Sequence, residues 1–187
     1  DVELKKEILS LYEHGTIDNI TTAQGCLQAN ELVMNTLLEK GDEVISVVPG
    51  YQQFVDVPKS LGCKVHLVEL DEMDWQLSVE KFRDVLNSST KMIVLNNPSN
   101  PTGTEYSKCF LNALIELCKP YNTYILCDEV YRGLNDETSI SDLYENGIST
   151  SSLSKIFSLA GLRLGWIKAN TYVIHQINVR RDYSMIS

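Results

Sequence analysis

Lys91-Met92-Ile93-Val94-Leu95-Asn96-Asn97-Pro98-Ser99-Asn100-Pro101-Thr102-Gly103 is the stretch on which the fold turns. Its first five residues are a near-continuous apolar run, the kind that is buried on both faces of a parallel sheet. The run stops in two Asn-Pro pairs within six residues, more than a simple turn needs. Each proline drives the residue before it toward an extended conformation, which fixes the direction of an asparagine amide. Such a loop is either a rigid connector or an oriented side-chain donor.

A second stretch repeats the pattern. Tyr124-Ile125-Leu126-Cys127 reads as a buried strand and runs directly into Asp128-Glu129-Val130-Tyr131. An isolated carboxylate at the end of a buried strand costs several kcal/mol or shifts its pKa until it is neutral. Asp128 therefore calls for a cation.

A third stretch, Ser152-Leu153-Ser154-Lys155-Ile156-Phe157-Ser158-Leu159-Ala160-Gly161-Leu162-Arg163-Leu164-Gly165, sets a lysine among apolar and small hydroxyl residues. Alone, Lys155 reads as an ordinary exposed lysine. In an apolar pocket beside Arg163, it reads as an amine of depressed pKa, able to form a Schiff base with a carbonyl cofactor.

Outward from these stretches, strands are expected near 17–22, 43–48, 64–70, 91–96, 124–128, 148–151 and 162–169. Helices are expected over 3–13, 26–39, from Gly50-Tyr51 onward, over 78–86, from a Ser107 cap to Lys119, and from Thr171 onward. Strands alternating with helices give an α/β fold with a largely parallel seven-stranded sheet, and the unusual loops all follow strand C-termini, where such folds bind ligands. The turn Thr21-Thr22-Ala23-Gln24-Gly25 opens a helix, whose free N–H groups suit a phosphate. Tyr51 is a core residue or one that stacks on a flat ring. His14, near a helix end, and His66, outward on an edge strand, are assigned no chemistry.

At 187 residues with 43% hydrophobic and 22% charged residues, the chain is long and apolar enough to bury a core, which excludes a disordered chain. A net charge of -9 without a basic run argues against nucleic acid. No apolar run approaches the roughly 20 residues of a membrane span and no signal peptide opens the sequence, so a cytoplasmic protein is expected. The five widely spaced cysteines read as reduced core residues, with neither a disulfide framework nor a metal site.

Taken together in this order, Asn97-Pro98-Ser99-Asn100-Pro101-Thr102-Gly103, Asp128-Glu129-Val130-Tyr131 and Ser152-x-Ser154-Lys155 with Arg163 resemble the large domain of the fold-type-I, pyridoxal-phosphate-dependent aminotransferases of class I/II. The resemblance implies a three-layer α/β/α domain binding pyridoxal 5'-phosphate. It implies that Lys155 is the Schiff-base lysine and proton shuttle, and that Asp128 pairs with the protonated pyridine nitrogen. Asn100 and Tyr131 are implied to bond the ring's phenolic oxygen, and Tyr51 to stack on the ring. Ser152, Arg163 and the amides of Ala23 and Gln24 are implied to hold the phosphate.

The expected reaction moves an amino group between an amino acid and a 2-oxo acid in a homodimer. A C–S β-lyase or other carbon–nitrogen chemistry with the same cofactor on the same fold, and a non-catalytic binding or dimerisation domain, are the alternatives. Family members are about twice as long, with a small domain drawn from both chain ends and a carboxylate-binding arginine near the C-terminus. Residues 1–187 are therefore expected to be the large domain without its N-terminal arm and small domain, binding cofactor but not turning over alone.

Overall fold

Branched apolar residues that run together in the sequence form the middle layer of the molecule. A computed structural model of the chain describes residues 2–134 and 138–184. In chain order the elements are α1 (Val2–Leu9), β1 (Ile20–Ala23), α2 (Gly25–Leu37), β2 (Glu43–Val48), α3 (Gln53–Ser60), β3 (Lys64–Glu69), α4 (Val79–Arg83) and β4 (Thr90–Asn96). They continue with α5 (Lys108–Cys118), β5 (Tyr124–Asp128), α6 (Ile140–Leu143), β6 (Gly147–Ser152), β7 (Gly165–Lys168) and α7 (Thr171–Arg181). Ser78, Ser107, Ser139 and Asn170 cap α4, α5, α6 and α7 through their side chains, each cap contributing about 1 kcal/mol.

The strands form one seven-stranded sheet in the order β1-β7-β6-β5-β4-β2-β3. β2, β3, β4, β5 and β6 pair in parallel, while β7 runs antiparallel to both β6 and β1. Alternate residues of the central strands face opposite layers. Val44, Met92, Val94, Leu126, Ile148 and Ile167 pack with Ala29, Val33 and Met34 of α2 and Ile174 and Ile177 of α7. Ile45, Ile93, Leu95 and Ile125 pack against Phe82 of α4 and Leu111, Leu114 and Ile115 of α5. Ile8 of α1 meets Ile20 and Trp166. The result is the expected three-layer α/β/α sandwich with a mostly parallel sheet. Side chains such as Leu126 and Ile93 are fully buried, each contributing about 1.5–3 kcal/mol.

Several local expectations are corrected. The segment from Ile17 begins as a 3-10 turn, because Asn19 Oδ1 accepts from the Thr16 N–H at 2.8 Å and pulls the backbone out of the extended form; the strand starts at Ile20. The last strand starts at Gly165, not 162, because Ala160–Leu162 is another 3-10 turn and Arg163 is left-handed at φ 51°. The first helix ends at Leu9. Its expected continuation is diverted where the Tyr12 hydroxyl reaches Ser149 Oγ (3.1 Å) and accepts from Trp166 Nε1 (2.8 Å). The helix expected over 78–86 shortens to α4, and α6 was not anticipated.

His66 lies on the edge strand β3 but is half-buried, with Nε2 2.9 Å from Glu43 Oε2. Cys63, Cys118 and Cys127 are buried, whereas Cys109 is exposed on the outer side of α5. No helix among the described residues is long and apolar enough to cross a membrane.

Candidate active site

The sheet brings chemistry-bearing residues to one edge by register. Asn96 at the end of β4 pairs with Asp128 at the end of β5, and Asp128 with Thr150 of β6. Gly165 pairs with Ser152 of β6 on one side and Ala23 of β1 on the other. Because β7 is antiparallel, its N-terminal end reaches the edge where the parallel strands finish. Arg163 thus arrives ahead of a strand, not after one.

A cavity of about 230 Å³ opens at this edge, and Tyr51, Asn100, Asp128, Tyr131, Ser152, Lys155 and Arg163 all line it. Asp128 and Ser152 are buried, while Tyr51, Asn100, Lys155 and Arg163 are exposed. Lys155 Nζ lies 5.8 Å from the centroid of the Tyr131 ring. Its setting differs from a sheltered apolar pocket: Phe157, Leu159 and Leu162 nearby are themselves 43%, 46% and 63% exposed.

Two expected residues are not brought in. Ala23 is buried in the core beneath α2, and the Gln24 N–H is taken by Gln28 Oε1 at 2.6 Å. Neither lines the cavity. The start of α2 contributes instead through Gly25, at φ 79°, whose missing side chain leaves room for the Arg163 guanidinium. Arg163 Nη1 donates to the Ala160 carbonyl at 3.0 Å, which holds the side chain over the helix start.

Asp128 meets neutral donors, not the cation its burial called for. Its Oδ2 accepts from Asn30 Nδ2 at 2.7 Å and its Oδ1 from the Val130 N–H at 3.0 Å. Among the described residues it has no ion-pair partner. Burial pushes its pKa up, against the opposing pull of the Asn30 and Val130 hydrogen bonds. Its neighbour Glu129 points to the other side of the strand, where Ser149, Ser139 and the Ile140 N–H donate to it and Arg132 Nε lies 2.9 Å away. Burial raises its pKa as well.

The Asn-Pro loop uses its asparagines unequally. Asn96 Nδ2 donates to the Asp128 carbonyl (2.8 Å) and Asn96 Oδ1 accepts from the Asn100 N–H (2.7 Å). Asn97 Oδ1 accepts from the Tyr106 N–H at 2.9 Å. Those two anchor the loop, and Asn100 is left to face the cavity.

Asn30, Cys26, Leu27 and Asn96 also line the cavity, and the sequence reading missed all four. The signal for Asn30 was an amide in the middle of an otherwise apolar helix face.

Residues 1–186 match the sequence family described as Aminotransferase class I and II. A crystal structure of a PLP-dependent aminotransferase from Streptococcus suis 89-1591 is 41% identical, with a TM-score of 0.96 over 99% of this chain and 50% of that one. The aspartate aminotransferase of Thermotoga maritima is 34% identical over 157 residues, 80% of this chain and 42% of that protein. Human kynurenine--oxoglutarate transaminase 3 is 31% identical over 167 residues, 80% of this chain and 37% of that protein. The chain spans about half, or less, of the length of the curated relatives it matches. With the matching sheet, the buried acid of Asp128-Glu129-Val130-Tyr131 and the Ser152-x-Ser154-Lys155 loop at one cavity, the chain belongs to the class I and II aminotransferase family.

Proposed function

We propose that residues 1–187 are the pyridoxal-phosphate-binding large domain of an enzyme that moves an amino group between an amino acid and a 2-oxo acid. The observation that carries this is the pairing of unmatched chemistries in one cavity. Asp128 is a buried carboxylate without a cationic partner among the described residues, while Lys155 and Arg163 supply an amine and a guanidinium at the exposed side. A protonated pyridine, an aldehyde and a phosphate on one ligand answer all three.

Pyridoxal phosphate, when bound, supplies an aldehyde for condensation with amines and a ring that withdraws electrons from the substrate α-carbon. Asp128 would hold a proton on the ring nitrogen by charge pairing. Lys155 Nζ would take the proton from the substrate α-carbon and deliver it to the carbon of the former aldehyde, the shift that moving the amino group requires. Arg163, with the room left by Gly25, would hold the phosphate, aided by Ser152 Oγ. Asn100 and Tyr131 would donate hydrogen bonds to the phenolic oxygen, and the Tyr51 ring would cover one face. Amino acids and 2-oxo acids are the substrates this reading names, with a homodimer and a cytoplasmic location as its setting.

The test is direct. The purified chain is mixed with pyridoxal phosphate, its visible absorption is recorded before and after borohydride, and the labelled peptide is mapped by mass. A label on Lys155, lost in Lys155→Ala, supports the reading; a label elsewhere, or none, overturns it.

A further inference from the structure

Asn30 is 1% exposed in the middle of α2, flanked on the same helix by the buried Ala29, Val33 and Met34. Three elements fix its amide. Thr150 Oγ1 on β6 donates to Asn30 Oδ1 at 2.5 Å. Asn30 Nδ2 donates to Asp128 Oδ2 on β5 at 2.7 Å and to Gln53 Oε1 on α3 at 3.3 Å. Gln53 is itself held, its Nε2 donating to the Leu27 carbonyl at 2.7 Å.

This arrangement is selective for charge. A neutral carboxylic acid needs an acceptor for its proton, but the partners aimed at the Asp128 carboxyl are donors: the Asn30 amide, the Val130 N–H and the Cys26 thiol, one turn before Asn30 on α2. Turning the Asn30 amide over would set Oδ1 against the carboxylate. The Thr150 hydroxyl, by donating to Oδ1, keeps the NH2 group toward Asp128. Donor contacts to the charged form oppose the desolvation that favours the neutral one.

We propose that Asn30, oriented by Thr150, is a positioning residue that keeps Asp128 anionic and turned to the cavity, so that the carboxylate can pair with a protonated ring nitrogen. The inference rests on the cavity being a pyridoxal-phosphate site. It adds a residue that acts through Asp128 without touching the cofactor itself.

The test compares equilibrium binding of pyridoxal phosphate with binding of its deaza analogue, in which a C–H replaces the ring nitrogen. The unmodified chain binds the natural cofactor more tightly. In Asn30→Leu that preference falls roughly tenfold or more, the size expected for a lost hydrogen bond to a charged group, while affinity for the analogue is unchanged. Thr150→Val leaves Asn30 in place, lowers the preference by a smaller factor, and decides the matter if Asn30→Leu does not fold. A preference kept intact in the folded variants, or affinity for both ligands lost in parallel, overturns the inference and leaves the function reading standing. If the unmodified chain binds both ligands equally, Asp128 does not pair with the ring and the inference fails while the function reading stands; if it binds neither, the function reading fails and the inference goes with it.

Discussion

The Cβ that Gly25 lacks would stand 2.7 Å from Nη2 of Arg163, so the start of α2 and the guanidinium occupy a space that only glycine leaves open. Gly25 also sits at φ 79°, a conformation that L side chains rarely adopt. Gly25→Ala is expected to cost about 1–2 kcal/mol from the left-handed backbone alone and to push Arg163 off the helix start. Urea unfolding and pyridoxal phosphate binding should therefore both worsen. Gly165→Ala, whose Cβ would overlap the Gly25 backbone, is expected to cost about 1–3 kcal/mol, the range for overpacking a tight contact.

Asp128 links stability to pH with an unusual sign. Burial raises its folded-state pKa above the ordinary 3.8. Its contribution is therefore complete below that ordinary value and is lost as pH rises through the folded one. Without cofactor, the melting temperature of Asp128→Asn should gain on that of the unmodified chain as pH is raised from 4 to 8. With pyridoxal phosphate added, the order at pH 7 should reverse if the proposed function holds, because the variant would lack the charge to pair with the ring.

On the far side of the sheet, Lys168 Nζ and Asp142 Oδ1 lie 2.6 Å apart with side chains 4% and 1% exposed. Lys168 also stacks on the Tyr12 ring at 4.6 Å, and Arg132 covers the same ring at 4.5 Å. Lys168→Met leaves the buried Asp142 carboxylate without its ion-pair partner, held by the Glu13 and His14 N–H groups, and is expected to cost about 3–5 kcal/mol. Adding Asp142→Leu should recover most of that loss, as a denaturant double-mutant cycle would measure.

At the opposite edge of the sheet, Asn87 Nδ2 and Lys64 Nζ hydrogen-bond Glu43 and hold its pKa down to about 2, with His66 adding to the pull. A depressed carboxylate stabilises the fold above its ordinary pKa of 4.5, and that stabilisation is lost as pH falls toward 2. Glu43→Gln should be less stable than the unmodified chain at pH 7, by a margin that narrows steadily below pH 4.5 in urea titrations.

What the sequence disclosed was what local pattern and strand ends control. Runs such as Met92-Ile93-Val94-Leu95 and Ile125-Leu126-Cys127 marked buried parallel strands, and the residues at their ends met at one cavity as expected. Partners far apart in sequence were hidden. Nothing local to Asn30 or Thr150 points to Asp128, and the antiparallel entry of β7 is a matter of pairing, which periodicity does not encode. Cys109 read as core because its neighbours are apolar, although its position on α5 turns it outward. Lys155 read alone as an exposed lysine, and exposed it is; the apolar pocket weighed against that reading does not form from Phe157, Leu159 and Leu162, which are exposed as well. The amides of Ala23 and Gln24 were chosen for their place at a helix start, where the strand ladder and Gln28 hold them instead.

The sheet order also bears on how the molecule comes together during synthesis. Among the described residues β1 pairs with β7 alone, so Ile20 waits for Lys168 before that ladder can close. At a ribosomal pace of about 5–20 residues per second, that wait is roughly 7–30 s. In the interval β2 to β6 can already pair among themselves, and Asp128, Asn30 and Thr150 can find one another. Gly25 and Arg163 meet only when β7 arrives. Among the described strands, the Gly25–Arg163 end of the cavity is thus completed after the rest, and until then β1 presents bare backbone to whatever chaperone or neighbouring chain is at hand.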